Sequence, residues 1–505
     1  MPTLNWIGKE AVENHHLEIP YKLLEYDDTH SAGDKDCGNL IVQGDNLHAL
    51  KALLPYYAGK VKAIYIDPPY NTGNENWRYN DNVNAPEIKE WLNNVVGKEG
   101  EDLTRHDKWL CMMYPRLQLL KKLLSKDGAI FISIDYNEEA NLRLLLNEIF
   151  GESNYRNTFV VSRIKKNIKE REEVKAVNFG HNSIVFYANS NRCLIIPPTK
   201  RQEKEVRWHA FDAPGIRKTM EYELFGFKPP KNRHWMYSEE RTLEMIKKGA
   251  LRPNPRSGKP QYRLDKSSET MLDTNWTDIQ EAGFSWNFPY GEKNIELIKR
   301  ILKVFKEKNI LVLDSFAGSG TTAQAVLDLN KEDGGNRKFI LVELEEDIAK
   351  NVTAERLKRV INGYEVKKQN GSTEQVVGLG GGFRYCKLSE SLFDQYGNVS
   401  EGVTFKQLAY HVFFSETGVP LKENAKLITP LIGKYKGNAY YLLFNGILGD
   451  KSVNGGNVLT SKVLEKLPKY KGNKIVFGMA NRLSSARLKR ENIIFKQIPV
   501  EIKTS

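Results

Sequence analysis

Two stretches constrain this 505-residue chain more than any others. They are Ala63-Ile64-Tyr65-Ile66-Asp67-Pro68-Pro69-Tyr70-Asn71 and Val312-Leu313-Asp314-Ser315-Phe316-Ala317-Gly318-Ser319-Gly320-Thr321-Thr322. In each, a short apolar run stops at an aspartate and gives way to residues that stiffen or bend the backbone. Such runs read as strands buried on both faces. In open α/β sheets, chemistry gathers just outside the carboxyl ends of the strands, which is where both aspartates fall.

The neighbouring patterns supply the rest of such a sheet. Strands are expected at 39–42, 61–66, 129–134, 310–313 and 339–342. Helices are expected at 46–54, with Leu47, Leu50, Leu53 and Leu54 at helical spacing and Pro55 just beyond, and at 107–125, kinked by Pro115. Further helices fit 138–150, 293–306, 321–329 and 346–361. Strands alternating with helices predict an α/β fold with a parallel sheet. The pattern breaks after residue 162 and resumes near 287, so one sheet is assembled from two stretches around an insertion. Residues 366–382, with Gly380-Gly381-Gly382, read as a linker. Residues 383–505 then mix strand-like runs at 439–444 and 474–477 with a few helices and carry no catalytic constellation.

The first segment has the residue types that activate an amine. The exocyclic nitrogen of a nucleobase is a poor nucleophile because its lone pair is delocalised into the ring. Hydrogen bonds from that NH₂ to the Asp67 carboxylate and the Pro68 carbonyl would favour a pyramidal nitrogen whose lone pair points at a methyl donor. Tyr70 would stack on the base, offsetting part of the few kcal/mol needed to take it out of the duplex. The plain alternative is that Asp-Pro-Pro is a rigid turn after a strand.

In the second segment, Gly318 and Gly320 let the backbone turn sharply and approach a ligand before a helix begins near Thr321. A Walker A loop would need Lys before the Ser or Thr, and Gly320 stands there instead. Residues 318–323 do fit a relaxed dinucleotide fingerprint, and Glu343, at the end of the next strand, lies at a distance suited to ribose hydroxyls, so nicotinamide binding is a rival reading. The coexistence of this loop with Asp67-Pro68-Pro69-Tyr70 favours S-adenosylmethionine.

With these motifs the chain resembles the β-class amino DNA methyltransferases, in which Asp-Pro-Pro-Tyr precedes the cofactor loop. It is more closely similar to the modification subunits of type III restriction-modification systems. The likeness runs through Asn5 to Lys9, His15-His16, Gly44-Asp45-Asn46-Leu47, Asp67 to Gly73, Asn80-Asp81-Asn82 and Trp109 to Leu120, with Pro115-Arg116-Leu117. It continues through Asp127-Gly128, Ile132 to Asp135, Phe316 to Thr322 and Leu341-Val342-Glu343. Ser315 departs from a common proline, and Tyr136 stands where an acidic residue is frequent.

The resemblance implies a Rossmann-like S-adenosylmethionine-dependent sheet in permuted motif order. Its parts would be an N-terminal extension (1–37), two catalytic halves (38–162 and 287–365), a target-recognition insertion (163–286), the linker, and a C-terminal α+β domain (383–505). It implies N6-adenine methylation of double-stranded DNA by base flipping, because the Asp form of the motif is the usual adenine variant. Asp67, Pro68, Pro69 and Tyr70 would be catalytic. Asp45, Asp67, Asp314, Phe316, Ala317, Gly318, Gly320, Thr321 and Glu343 would bind the cofactor, with Asp45 on its adenine and Glu343 on its ribose. N4-cytosine methylation, or a DNA-binding specificity subunit without activity, are the alternatives. A second copy of the chain and a restriction and translocation subunit are the protein partners left open.

Composition agrees with this reading. The net charge is +12, and residues 151–290 hold 25 Lys and Arg against 17 Asp and Glu, an excess of 8 suited to tracking phosphates. Aromatic residues are interleaved there (Trp208, Phe211, Tyr222, Phe225, Trp235, Tyr237, Tyr262, Trp276 and Trp286), most of them expected as the core of an irregular domain. Asn71 and the run Arg163, Lys165, Lys166, Lys169 and Arg171 are the expected DNA contacts, a solvated face being the alternative for the run. Four scattered cysteines and nine histidines show no ligand spacing, so no metal site is expected. Without an apolar stretch of about 20 residues or a signal peptide, the expected location is the cytoplasm, with no membrane partner.

Overall fold

The computed structural model describes residues 3–72, 105–163, 177, 179–283, 291–367, 373–422, 425–450 and 456–498. The chain divides into two compact units, Pro197–Asp273 and the remainder.

The larger unit is built on a ten-stranded sheet. In chain order its elements are β1 (Lys22–Gly33), β2 (Leu40–Gln43), α1 (Asn46–Tyr57), β3 (Val61–Ile66), α2 (Arg105–Leu123), β4 (Leu124–Ile134), α3 (Glu139–Phe150), β5 (Tyr155–Ser162), β6 (His181–Ala188) and β7 (Asn275–Gln280). Then follow α4 (Ile295–Leu302), β8 (Leu311–Asp314), α5 (Thr321–Asp333), β9 (Lys338–Glu343), α6 (Glu355–Asn362) and β10 (Gly382–Ser391). The strand order is β1-β10-β2-β9-β8-β3-β4-β6-β5-β7. The run from β10 to β4 is parallel throughout, whereas β1 and β6 join it antiparallel.

Every residue of β3 is buried, and its pleat divides them between two cores. Ile64 and Ile66 face one with α1, α2 and α3, while Ala63 and Tyr65 face the other with α4, α5 and α6. Lys62 escapes by extending its stem until its ammonium lies 2.7 Å from Asp127. The register pairs Ile64 with Leu313, Asp314 with Leu341, and Glu343 with Gln43. The carboxyl ends of β2, β9, β8 and β3 therefore form one row, carrying Asp45, Glu343, Asp314 and Asp67 in that order.

Several elements differ from the sequence expectation. The helix expected at 346–361 is a short helix (Glu346–Ile348), a π-helical turn (Ala349–Ala354) and then α6. The wide turn brings the Thr353 hydroxyl to donate to the Gly318 carbonyl at 2.6 Å. The expected linker is partly a hairpin, with Thr373–Val377 paired antiparallel to Gly363–Lys367. Its glycines serve close packing: a Cβ on Gly382 would lie 2.2 Å from the Asp34 nitrogen, and one on Gly33 2.2 Å from the Gly381 oxygen. Neither the N-terminal extension nor the C-terminal region stands apart, because β1 and β10 pair along their length, with Tyr26 opposite Cys386. The later four-stranded sheet (Leu431–Tyr435, Asn438–Leu442, Asn473–Gly478 and Ile493–Gln497) sends Tyr440, Leu442 and Phe477 into the same core as α1. Residues 456–498 hold ten Lys and Arg against two Asp and Glu, so the positive excess is not confined to the insertion.

The smaller unit is narrower than the expected insertion, because β6 and β7 hydrogen-bond into the large sheet on either side of it. It contains the three-stranded sheet Leu251–Pro253, Pro260–Leu264 and Arg207–Ala210, the pair Thr199–Lys204 and Ser267–Met271, and the helix Glu239–Lys247. Phe211, Leu224, Trp235 and Leu251 form its core, with Tyr222, Tyr237 and Tyr262 against them. Trp276, outside this unit, is buried in the large sheet and stacks on Phe159 at 4.1 Å. Among the described residues, no helix is long and apolar enough to cross a membrane.

Candidate functional site

Asp67 follows the last residue of β3, at the sheet edge where strand pairing has ended. Its side chain is 28% exposed. Oδ1 accepts from the Tyr70 hydroxyl at 2.8 Å and from Lys293 Nζ at 2.9 Å. Oδ2 accepts nothing from the described residues, nor does the Pro68 carbonyl. The Pro69 carbonyl is taken by the Trp109 indole N–H at 2.8 Å, which fixes the second proline against α2.

Three side chains that sequence reasoning did not single out complete this cluster. Glu281, just after β7, accepts from the Tyr70 hydroxyl and from Lys293 Nζ, both at 2.6 Å, and from the Asn182 amide on β6. Lys293 reaches the cluster because Ala282–Gly283 pairs antiparallel with Glu292–Lys293. That hairpin is tight enough that a Cβ on Gly283 would lie 2.6 Å from the Lys293 carbonyl oxygen. Lys293 immediately precedes Asn294, whose side chain caps α4. A cation at the positive end of a helix is unfavourable, so its presence there was a faint signal that it pairs elsewhere.

The charges are unequally compensated. Burial raises the Asp67 carboxyl above its ordinary value; the Lys293 ammonium opposes the rise and the Glu281 charge adds to it. Burial also acts upward on Glu281, but Lys293, Tyr70 and Asn182 outweigh it and hold that carboxyl below its ordinary range. Lys293, despite burial, is held above its ordinary value by the two carboxylates.

The glycine loop lies beside this cluster, at the end of β8. Asp314 accepts from the Phe316 N–H at 3.0 Å and the Thr322 hydroxyl at 2.5 Å, tying the strand end to the start of α5. Glu343, 2% exposed, accepts from the Gly318 N–H at 2.8 Å and the Glu345 N–H at 3.1 Å. Burial pushes the carboxyls of both Asp314 and Glu343 up to about 7. Gly318 has φ 49° and open space where a Cβ would sit; Gly320 has φ 80°, and a Cβ there would lie 3.0 Å from Thr353 Cγ2. Arg356, buried, clamps the loop from below: its Nη1 meets Ser319 Oγ at 2.8 Å, Thr321 Oγ1 at 3.1 Å and Glu292 Oε2 at 3.1 Å. Phe316, Ala317 and Thr321 are buried in this loop.

Asp45 has both carboxylate oxygens engaged within the protein. Oδ1 caps α1 at the His48 N–H (3.0 Å) and meets His48 Nδ1 (2.8 Å), while Oδ2 meets Arg116 Nη2 at 2.9 Å. Asn46 donates to the Ser315 carbonyl at 3.0 Å and accepts from Arg116, so α1 and α2 brace the glycine loop.

Asn71 corrects the expectation of a DNA contact. It is fully buried with φ 57°, and its amide donates to Glu138 and to the Arg105 carbonyl, fastening the chain after the motif. Arg163 is half-buried beyond β5, its backbone N–H bonded to the Gly180 carbonyl. Lys165, Lys166, Lys169 and Arg171 lie outside the described residues. At the carboxyl end of β4, Tyr136 stacks on Phe179 at 3.8 Å, both rings about half exposed. No group of His, Cys, Asp or Glu side chains among the described residues has metal-binding geometry.

Comparison with known proteins gives the same direction. The DNA methylase family of N6 and N4 methyltransferases matches residues 61–355. The chain is 31% identical over 394 residues to the StyLTI Mod subunit, a type III restriction-modification enzyme of Salmonella typhimurium, covering 70% of this chain and 60% of that one. It is 28% identical over 511 residues to the EcoPI Mod subunit of Escherichia phage P1, covering 85% and 76%. It is also 30% identical over 356 residues to the type II methyltransferase M.KpnI of Klebsiella pneumoniae, covering 61% and 81%. The chain thus spans about three fifths of the Salmonella subunit's length.

Proposed function

The chain belongs to the DNA methylase family of N6 and N4 methyltransferases, and on that premise we propose that it methylates adenine N6 in double-stranded DNA, with S-adenosylmethionine as donor, as the modification component of a restriction-modification system. The observation that carries the reading is the state of the strand-end motif. Asp67 is anchored through Oδ1 by two donors, while Oδ2 and the Pro68 carbonyl accept no hydrogen bond from the described residues. An exocyclic NH₂ has two N–H bonds to give and matches that pair. Accepting both localises the nitrogen lone pair, and the Asp67 carboxylate can hold the proton that the nitrogen loses as it gains the methyl group. The Tyr70 ring, fixed by its hydroxyl, provides a face for the extrahelical base.

The row Asp314–Glu343 fits the donor. Two desolvated carboxyls, each raised by burial and neither paired with a cation among the described residues, favour a ligand that brings hydroxyl or ammonium donors. Gly318 leaves open space above the loop. S-adenosylmethionine, once bound, supplies a methyl group on a sulfonium. Glu343 would take the ribose hydroxyls, and Asp314, Phe316, Ala317, Gly318, Gly320 and Thr321 would shape the cradle. Asp45, committed to the cap and Arg116, would act at its rim. Asp-Pro-Pro-Tyr ahead of the glycine loop is the permuted, β-class order.

The insertion 163–286 would read the recognition sequence, and its cations would make affinity fall with salt. The exposed Tyr136–Phe179 stack lies on the same sheet edge as Asp67, where aromatic faces suit unpaired bases. A second copy of the chain and a restriction and translocation subunit would complete the assembly, in the cytoplasm. The test is incubation with duplex DNA and labelled S-adenosylmethionine followed by nucleoside digestion. N6-methyladenine is expected; N4-methylcytosine would reverse the base assignment, and no incorporation would leave a specificity subunit.

A further inference from the structure

The hairpin strand Glu292–Lys293 lies between the glycine loop and the strand-end motif. Adjacent residues of a strand point to opposite faces, and these two are opposite in charge. Glu292, 2% exposed at its side chain, holds Arg356, which in turn holds Ser319 and Thr321 of the glycine loop. Lys293 holds Asp67, Glu281 and the Tyr70 hydroxyl. One two-residue strand thereby fixes the two halves of the site to each other.

The Tyr70 end is informative. Lys293 Nζ is 2.6 Å from the Tyr70 oxygen and 4.9 Å from the ring centroid, so it sits toward the hydroxyl edge of the ring. A ring held only by packing could pivot about its χ1 and χ2. Here the hydroxyl oxygen accepts from Lys293, and its single proton lies within reach of both Asp67 Oδ1 and Glu281 Oε1, while Glu281 is itself fixed by Asn182.

We propose that Lys293 and Glu281 are positioning residues for methyl transfer, acting through Tyr70 and Asp67: they orient the stacking ring and turn the Oδ2 edge of the carboxylate toward the target amine. This rests on the methyltransferase reading above. Lys293 has a second effect through charge. Among the described residues, Asp67 faces Glu281, Asp314, Tyr65 and Tyr70 as well as Lys293. Lys293 is the one cation of that set, so removing it favours protonated Asp67, which cannot accept on both sides. Removing the Glu281 charge favours the ionised form.

The experiment measures kcat, cofactor affinity and the pH profile of single-turnover methylation for the full chain and for Lys293→Met, Lys293→Arg, Glu281→Gln and Tyr70→Phe. The wild-type enzyme must first methylate adenine; if it does not, the functional reading fails and this one is not at issue. Given activity, Lys293→Met should lower the rate constant about a hundredfold, as a small misplacement of reacting groups does, with cofactor affinity within threefold of wild type. Its acidic limb should move to higher pH, that of Glu281→Gln should move to lower pH, and Lys293→Arg should recover part of the rate. Opposite shifts of the two limbs are not what general loosening produces. Should Lys293→Met fail to fold, Tyr70→Phe and Glu281→Gln keep the test: Tyr70→Phe should lose rate while retaining DNA affinity. Unchanged rate and pH limb in any folded variant would overturn the proposal, as would limbs that shift together.

Discussion

Glu343 makes the sharpest demand on a ligand. It is 2% exposed, its oxygens accept only backbone N–H groups, and burial raises its carboxyl from 4.5 to about 7. At 1.36 kcal/mol per unit, that rise stores about 3 kcal/mol against the charged form. A ligand donating two hydroxyls needs the charged form, so it must ionise the group at any pH below about 7. Cofactor affinity of the wild-type chain should therefore weaken about fivefold between pH 7 and pH 6 and change little above pH 8. Glu343→Ala removes the acceptor, which costs roughly 1.5–3 kcal/mol for a charge-assisted bond, or about tenfold to a hundredfold in affinity at pH 8. It also removes the Glu343 titration and leaves that of Asp314, so the variant's affinity should depend less steeply on pH between 6 and 8 than the wild type's. Isothermal calorimetry with S-adenosylmethionine across that range reads both effects. Unchanged affinity at pH 8, or a variant that keeps the wild-type pH slope, would refute the ribose role.

The same carboxyl makes a stability prediction with a definite sign. Because its folded pKa lies above the unfolded one, the Glu343 contribution to ligand-free stability is fully present below about pH 4.5 and is lost as pH rises toward 7, the reverse of an ion-paired carboxylate; thermal unfolding of the wild type against Glu343→Gln, with and without cofactor, reads this, the cofactor's stabilisation growing over that interval. Asp67→Ala and Tyr70→Ala should each cut turnover by orders of magnitude while S-adenosylmethionine still binds, as stopped assays beside calorimetry would report. Gly320→Ala should lower the melting temperature more than Gly318→Ala, because both force a left-handed Ala at about 1–2 kcal/mol but only the first meets Thr353; Gly318→Ala should instead weaken the cofactor by filling open space. Exchanging 163–286 for the insertion of a related enzyme should change the methylated site and leave the modified base the same; a chimera that kept its parental site would move the determinant elsewhere, most directly to the basic stretch 456–498.

The parts of the fold legible in the sequence were those written locally. The all-buried run Val61–Ile66 and the stripe Leu47, Leu50, Leu53 and Leu54 announce a strand and a helix without outside help, and the row of acidic strand ends follows from them. β1 was not legible, since Lys22–Gly33 is half polar and finds its partner, β10, some 350 residues later. The expected linker misled because its glycines suggest freedom, whereas Gly382 is needed for backbone contact with Asp34. In the candidate site, Asp67, Tyr70, Asp314 and Glu343 are legible as candidates because each ends or follows an apolar strand. Glu281, Lys293 and Asn182 are not, because their meeting depends on three separate segments, β6, the turn after β7 and the Glu292–Lys293 hairpin, whose adjacency is a property of the sheet. Asn71 is expected from the sequence as a DNA contact because it follows the motif, but it is buried and its amide is spent on Glu138.

The central claim is that the Asp67 edge activates an adenine amine. The most direct measurement is base-resolved sequencing of modified nucleotides in the DNA of a host that expresses this gene alone and lacks other methyltransferases. N6-methyladenine confined to one short sequence, and absent when the gene carries Asp67→Ala, is the predicted result. Methylation on cytosine N4, or adenine methylation that persists in the Asp67→Ala strain, would contradict it.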